Sequence, residues 1–238
     1  MNTAIDFIKK LQRKRTDYND ASQVRMLTNC LLQLSTGIYT EPERFVYELL
    51  QNAVDAFTDT SGDTLEILIK AEGDKFIFLH NGKPFSEKDV EGICDVGNGT
   101  KSNDSKKIGY KGIGFKSVFM PSVSRVSIKS GDFSFMFDKN EATHIMPPFP
   151  EGRLTSDEVP WQVIPISQPN LDAFNLEGFN VATIVETTEA RDIANKVEGL
   201  FSNLQFLLFL RSRNVNIRFE RDGKQVFSVG KERSGSNA

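Results

Sequence analysis

The stretch EPERFVYELLQNAVDAF, residues 41–57, decides how the rest of the chain is read. Thr40 and Glu43 have the spacing of a capping box and Pro42 falls in the first turn, so a helix over 41–57 is signalled twice at its start. Phe45, Val46, Leu49, Leu50, Ala53, Val54 and Phe57 recur at helical spacing and form a broad apolar face that must be buried. Glu48, Asn52 and Asp55 stand apart from that face. Steps of four and three residues line them up on one polar stripe, where they either converge on a ligand or face water. The helix alone favours the solvated reading, and its neighbours have to decide.

Downstream, Thr64–Lys70 alternates apolar and polar residues and Lys75–Leu79 is a second β-rich run after a turn, which predicts adjacent antiparallel strands. The second ends at His80-Asn81-Gly82, after which Ser86 and Asp89 cap a short helix running through Ile93. Residues 97–114, GNGTKSNDSKKIGYKGIG, hold five glycines and several lysines before an apolar helix is predicted over Phe115–Met120. A glycine-rich stretch that feeds a helix N-terminus can present backbone N–H groups to phosphate oxygens. It is not a Walker A loop, because no GxxxxGK[ST] is present.

Further on, Arg125–Lys129 and Phe133–Phe137 read as a hairpin, and the Pro-rich residues 139–160 as an excursion over the surface. Trp161–Ile166 and Phe179–Glu186 have strand character. Thr188 reads as the N-cap of a helix reaching about Leu210, and Val215–Phe219 with Gln225–Val229 as a hairpin turning at Asp222-Gly223. Upstream, residues 3 to about 35 predict two helical pieces. The basic cluster Lys9, Lys10, Arg13, Lys14, Arg15 reads as a solvated face, with no aromatic interleaving to suggest nucleic acid. The expected architecture is α/β of the α+β kind, a two-layer sandwich in which helices back one face of a mixed, mainly antiparallel sheet.

Composition narrows the class. With 238 residues, 39% hydrophobic, one substantial domain is expected: an N-terminal helical segment at 1–39 packed on a domain at 40–230, with a disordered tail at 231–238. A net charge of −3, from 29 basic and 32 acidic residues, provides no overall basic field for nucleic acid or membrane. Cys30 and Cys94 are the only cysteines and fit neither a disulfide framework nor a zinc cluster. No apolar run approaches a membrane span and no signal-peptide core opens the chain, so a soluble, intracellular (cytoplasmic) protein is expected.

The helix and glycine-rich segment together resemble the GHKL ATPases, the Bergerat-fold group of gyrase B, heat-shock chaperones, histidine kinases and MutL. QNAVDA, HNGKPF and GYKGIGFKSVF look most like the sacsin-type and NO VEIN-type branch. The family's ExxxNAxDA is complete here as ELLQNAVDA. The resemblance implies Glu48 as the base that orients the attacking water, Asn52 as the Mg²⁺ ligand and Asp55 as its support. It implies further that Gly99, Thr100 and Lys101, with Gly109, Gly112, Ile113, Gly114 and Phe115, bracket the phosphates of ATP, and that Thr183 supports the adenine pocket. The chemistry agrees, since Mg²⁺ takes hard oxygen ligands and a carboxylate can polarise water for in-line attack.

One motif departs from the family. Where DxGxG would supply an Asp to the adenine amino group, the chain has His80-Asn81-Gly82-Lys83-Pro84, which leaves Asn81 and Gly82 in that role. Asp95-Val96-Gly97-Asn98-Gly99 matches literally but follows the short helix rather than the strand, and is the second choice. His80 reads as structural. The resemblance thus implies a Mg²⁺-dependent domain that binds and slowly hydrolyses ATP to drive conformational change or a nucleotide-dependent homodimer, serving further domains or a client protein. The alternative is a nucleotide-sensing or protein-interaction module that binds ATP without significant hydrolysis. A histidine kinase is disfavoured, as no phosphoacceptor helix precedes the domain.

Overall fold

Eight strands form one sheet in the order β5-β4-β3-β6-β2-β1-β7-β8. The strands are β1 (Leu65–Glu72), β2 (Lys75–His80), β3 (Val123–Ser130), β4 (Phe133–Asp138), β5 (Ile166–Ser167), β6 (Val181–Thr187), β7 (Val215–Arg221) and β8 (Lys224–Val229). Every neighbouring pair is antiparallel except β1 with β7, so the mixed, mainly antiparallel sheet predicted above is found. The helices among the described residues are α1 (Thr3–Thr16), α2 (Ala21–Ile38), α3 (Arg44–Ala56), α4 (Glu87–Ile93), α5 (Lys139–Ile145) and α6 (Ala190–Leu200). The computed structural model describes residues 3–38, 44–57, 63–96, 114–201, 203 and 214–230. The predicted start of the core helix and the tail at 231–238 lie outside them.

The alternation along the strands builds two unequal layers. Leu65, Ile67 and Ile69 of β1, Phe76 and Phe78 of β2, Val126 and Ile128 of β3, and Phe135 and Phe137 of β4 point to the helical side and form the main core. The apolar stripe of α3 joins them through Phe45, whose ring meets that of Phe76 edge to face at 5.2 Å. On the opposite side Leu68, Ile77, Leu79, Ala182 and Ile184 form a smaller cluster, covered by Leu171 and its neighbours from the turns after β5. α1 buries Ala4, Ile8 and Leu11 and leaves Lys9, Lys10, Arg13 and Lys14 exposed as a solvated basic face, but Arg15, read as part of it, is half-buried and ion-paired with Asp95.

Local signals explain the elements. Ser86 and Asp89 form the predicted reciprocal capping box on α4. The β7–β8 hairpin turns through Asp222 at φ 47° and Gly223 at φ 74°, the left-handed pair that Asp-Gly adopts at low cost.

Several readings need correction. Residues 139–160 are no surface excursion: Asp138 caps α5 by accepting from the Glu141 N–H at 2.8 Å, and Ala142, Met146, Phe149, Leu154 and Val159 are buried. Trp161–Val163 is a 3-10 turn, and only Ile166–Ser167 pairs as a strand. Thr188 does not cap α6. Thr187 instead accepts from the Glu189 N–H at 3.2 Å; α6 spans Ala190–Leu200, and residues 204–210 of the predicted helix lie outside the described residues. The helix predicted over Phe115–Met120 is a 3-10 turn over Gly114–Val118, where the Ser117 hydroxyl donates to the Gly114 carbonyl at 2.7 Å. No helix among the described residues is long and apolar enough to cross a membrane.

Candidate functional site

Burying Phe45, Val46, Leu49, Leu50 and Ala53 fixes the rotation of α3 and leaves Glu48, Asn52 and Asp55 together on its half-buried side. Glu48 faces the start of the 3-10 turn. A Cβ built on Gly114 would lie 2.7 Å from the Glu48 carboxyl carbon, far inside contact distance. Only a residue without a side chain lets the backbone come this close to the carboxylate. The last glycine of GYKGIG is thus brought against the Glu of ELLQNAVDA, 66 positions earlier in the chain (114 − 48). Phe115 is buried and packs edge to face with Phe119 at 5.9 Å, which anchors the turn from below.

The far end of α3, near Asp55, meets the turn after β2. The Lys83 N–H donates to the Ala56 carbonyl at 2.9 Å. Gly82 is pressed into the same junction, where an added Cβ would sit 2.8 Å from His80 Nδ1 and 3.2 Å from the Ala56 Cβ. His80 is buried and its Nδ1 accepts from the Gly82 N–H at 3.1 Å, which assigns the ring proton to Nε2. Burial pulls its pKa down to about 4, so the ring is neutral at pH 7. His80 is structural, as its position at a strand end suggested.

The structure gives Asn81 a different task from the one the resemblance implied. Its amide oxygen accepts from the Glu66 N–H at 2.9 Å and its amide nitrogen donates to the Thr64 carbonyl at 3.1 Å. The side chain therefore fastens the start of β1. Asp95, the second choice, is ion-paired with Arg15 of α1. Thr183 is buried on β6 between Phe78 and Ile128 of the flanking strands, and the alternation with Ala182 and Ile184 turns it to the helical side. Gly99, Thr100, Lys101, Gly109, Gly112 and Ile113 lie outside the described residues.

Sequence reasoning passed over Lys116. It is buried within the site-forming turn, and its ammonium donates to the main-chain carbonyls of Ile93 and, at 2.9 Å, Gln162. Burial brings its pKa down to about 8. The available signal was a single charged residue in the apolar run IGFKSVFM, 113–120.

The sacsin domain profile matches residues 26–147, a span that holds α3, the β1–β2 pair, α4 and the Gly114 turn. The chain belongs to the sacsin domain family. Among curated proteins, Protein NO VEIN of Arabidopsis thaliana is 36% identical over 116 residues, covering 48% of this chain and 4% of that protein's length. The sacsin-type and NO VEIN-type likeness read from QNAVDA and GYKGIGFKSVF is thereby supported, and the matched region is a small part of a much longer relative.

The polar stripe of α3 carries oxygen donors of the kind that Mg²⁺ takes. Among the described residues no group of three or more His, Cys, Asp or Glu side chains gathers as a metal cluster. Mg²⁺ does not need one, because it keeps several waters and can be held by one or two protein oxygens together with substrate phosphates. The Asn52 amide and the Glu48 and Asp55 carboxylates are hard oxygen donors on one stripe. The space a Cβ would take at Gly114 is filled by the Glu48 carboxylate itself, so the glycine sets the carboxylate against the turn.

Proposed function

We propose that this sacsin-family domain binds ATP with Mg²⁺ in the GHKL manner and hydrolyses it slowly, its nucleotide state driving a conformational change. The observation that carries the reading is the meeting of Glu48 with Gly114, because it joins the two motifs on which the GHKL resemblance rests. In this reading Asn52 is the protein ligand of Mg²⁺ and Asp55 supports it. Bound Mg²⁺ supplies charge neutralisation at the phosphate oxygens.

The chain's own residues do the rest. The apolar stripe of α3 holds the Glu48 carboxylate at the turn, where it orients water and accepts its proton. Backbone N–H groups at the start of the Gly114 turn offer donors to phosphate oxygens. Thr183, on the helical side of β6, supports the base. GHKL-like turnover is slow when chemistry waits on a conformational step, which suits a domain that works for others.

Calorimetric titration with ATP, ADP and a non-hydrolysable ATP analogue, each with and without Mg²⁺, tests the reading. Mg²⁺-dependent binding of ATP is expected. No heat and no thermal shift with any nucleotide would refute it, whereas binding with turnover no faster than in Glu48→Ala would favour a sensing or interaction module. Nucleotide-dependent pairing of two domains belongs to the same proposal. Light scattering with the bound analogue reads it directly.

A further inference from the structure

Lys116 is 5% exposed, and its ammonium has been taken out of water beside two aromatic rings, 5.4 Å from the centre of Phe119 and 5.8 Å from that of Phe137. A buried charge is costly, and a methionine or leucine of similar size would fill an apolar site at less cost. Two of the lysine's polar contacts are with main chain. It donates to the carbonyl of Ile93, the last residue of α4, and to that of Gln162 in the 3-10 turn before β5. These contacts join three segments that are distant in sequence, and one of them is the turn that begins with Gly114.

We propose that Lys116 is the positioning residue of the site: its buried ammonium ties the Gly114–Val118 turn to the end of α4 and to Gln162, and thereby holds Gly114 against the Glu48 carboxylate. The catalytic significance of that contact rests on the nucleotide reading above, but the mechanical claim does not. The turn is only five residues long, too short to hold its own orientation by helical hydrogen bonding. Phe115, Ser117 and Val118 are buried with Lys116 and hold the turn by packing, which is not directional. The two hydrogen bonds of Lys116 add fixed partners that set the turn against the end of α4 and Gln162.

The surroundings suit a tie that stays charged at neutral pH. The groups facing the ammonium are Cys94 and Asp95 beyond the end of α4, and Arg15 from α1. Asp95 favours the charge and Arg15 opposes it, while the two are paired with each other. Cys94 is buried and its pKa is raised to about 12, so it is a neutral thiol. Deprotonation of Lys116 would remove the charge assistance from both carbonyl contacts and the attraction to both rings.

The test compares the wild type with Lys116→Met, which keeps the stem length and suits the aromatic surroundings. Hydrogen exchange at Gly114–Val118 should quicken at least about tenfold in Lys116→Met, and the side-chain carboxyl ¹³C resonance of Glu48 should move, with or without nucleotide. In the wild type that Glu48 resonance should also show a step that coincides with the titration of Lys116 followed at its own Cε resonance. This arm works on the unmutated protein and stands even where Lys116→Met folds poorly. With ATP, kcat should fall about 100-fold while KM changes little, as a displaced base predicts.

Unchanged exchange at the turn, or a Glu48 resonance indifferent to Lys116 in the wild type, overturns the proposal. A wild type that shows both mechanical effects but binds no nucleotide overturns the nucleotide reading and leaves the tie in place.

Discussion

His80 makes the junction between β2 and α3 sensitive to acid, by an amount that can be worked out. Its pKa in the folded protein is about 4 against an ordinary 6.5, because burial penalises the imidazolium. The folded pKa of this base lies below the unfolded one. Between those two values the unfolded chain binds more protons, so stability rises with pH through the window and falls as acid is added. Above pH 6.5 the ring is neutral in both states and costs nothing. From the ratio of the two titrations, protonation favours the unfolded state over the folded one by between about 2 and 3 kcal/mol at about pH 4.5, and by slightly more than about 3 kcal/mol well below pH 4.

Urea unfolding of the wild type and His80→Gln, at pH 7 and at about pH 4.5, measures this. The side-chain amide of glutamine can accept from the Gly82 N–H but does not titrate, so any fixed cost of the substitution cancels in the difference between the two pH values. Glu158, Asp172 and Asp20, whose pKa values are lowered by hydrogen bonds, also lose stability in acid, equally in both proteins. Between the two pH values the wild type should lose at least about 2 kcal/mol more than His80→Gln does. Equal losses would refute the argument and mean that His80 takes up its proton within the fold. Because the ring accepts from Gly82 and Lys83 donates to Ala56, acid should also release the turn from the end of α3.

Gly114→Ala drives a methyl into the Glu48 carboxylate, the end of a flexible side chain that can swing aside; stability by denaturant should change by less than about 1 kcal/mol while hydrolysis falls about 100-fold. Glu48→Ala should keep ATP binding and abolish hydrolysis in a coupled assay, whereas Asn52→Ala should lose the Mg²⁺-dependent part of the binding heat; equal turnover in wild type and Glu48→Ala would remove the base assignment. Asn81→Ala strips two hydrogen bonds from the start of β1 and should cost about 1–2 kcal/mol in stability, with the ratio of ATP to GTP affinity unchanged by competition titration.

What the sequence made legible is what local chemistry controls. The β1–β2 and β3–β4 hairpins follow from period-two alternation, the β7–β8 turn from Asp-Gly and the α4 start from Ser86 and Asp89, each written within a few residues. The rest depends on partners far along the chain. The pairing of β1 with β7 sets Leu65 beside Val215, and no local pattern announces it. α5 was hidden because seven residues show barely two turns of periodicity, and the prolines after it drew the reading towards loop, although Asp138 and Glu141 carried the cap. At the site, the stripe of Glu48, Asn52 and Asp55 was legible as geometry, but its encounter with Gly114 was legible only through the family likeness. Lys116 was passed over because a lysine in an apolar run reads as a surface residue until its carbonyl partners are known.

Base recognition is where the structure changes the question. Two side chains could have replaced the missing Asp, and each has a structural partner: Asn81 the backbone at Thr64 and Glu66, Asp95 the guanidinium of Arg15. Releasing either one to meet an adenine would cost the fold an interaction about as strong as the one gained, since one buried hydrogen bond is exchanged for another. A reader that costs nothing must already face the helical layer with its polar group. Thr183 meets that condition, held between Phe78 and Ile128 by strand register rather than by a bond it would have to break. A single hydroxyl distinguishes purines poorly, because it can donate to or accept from either base edge. If this sacsin-family domain binds nucleotide as proposed, its affinity should therefore come mainly from the phosphate end, where Glu48 meets Gly114 and Asn52 lies one helical turn on, and its preference for adenine should be weak.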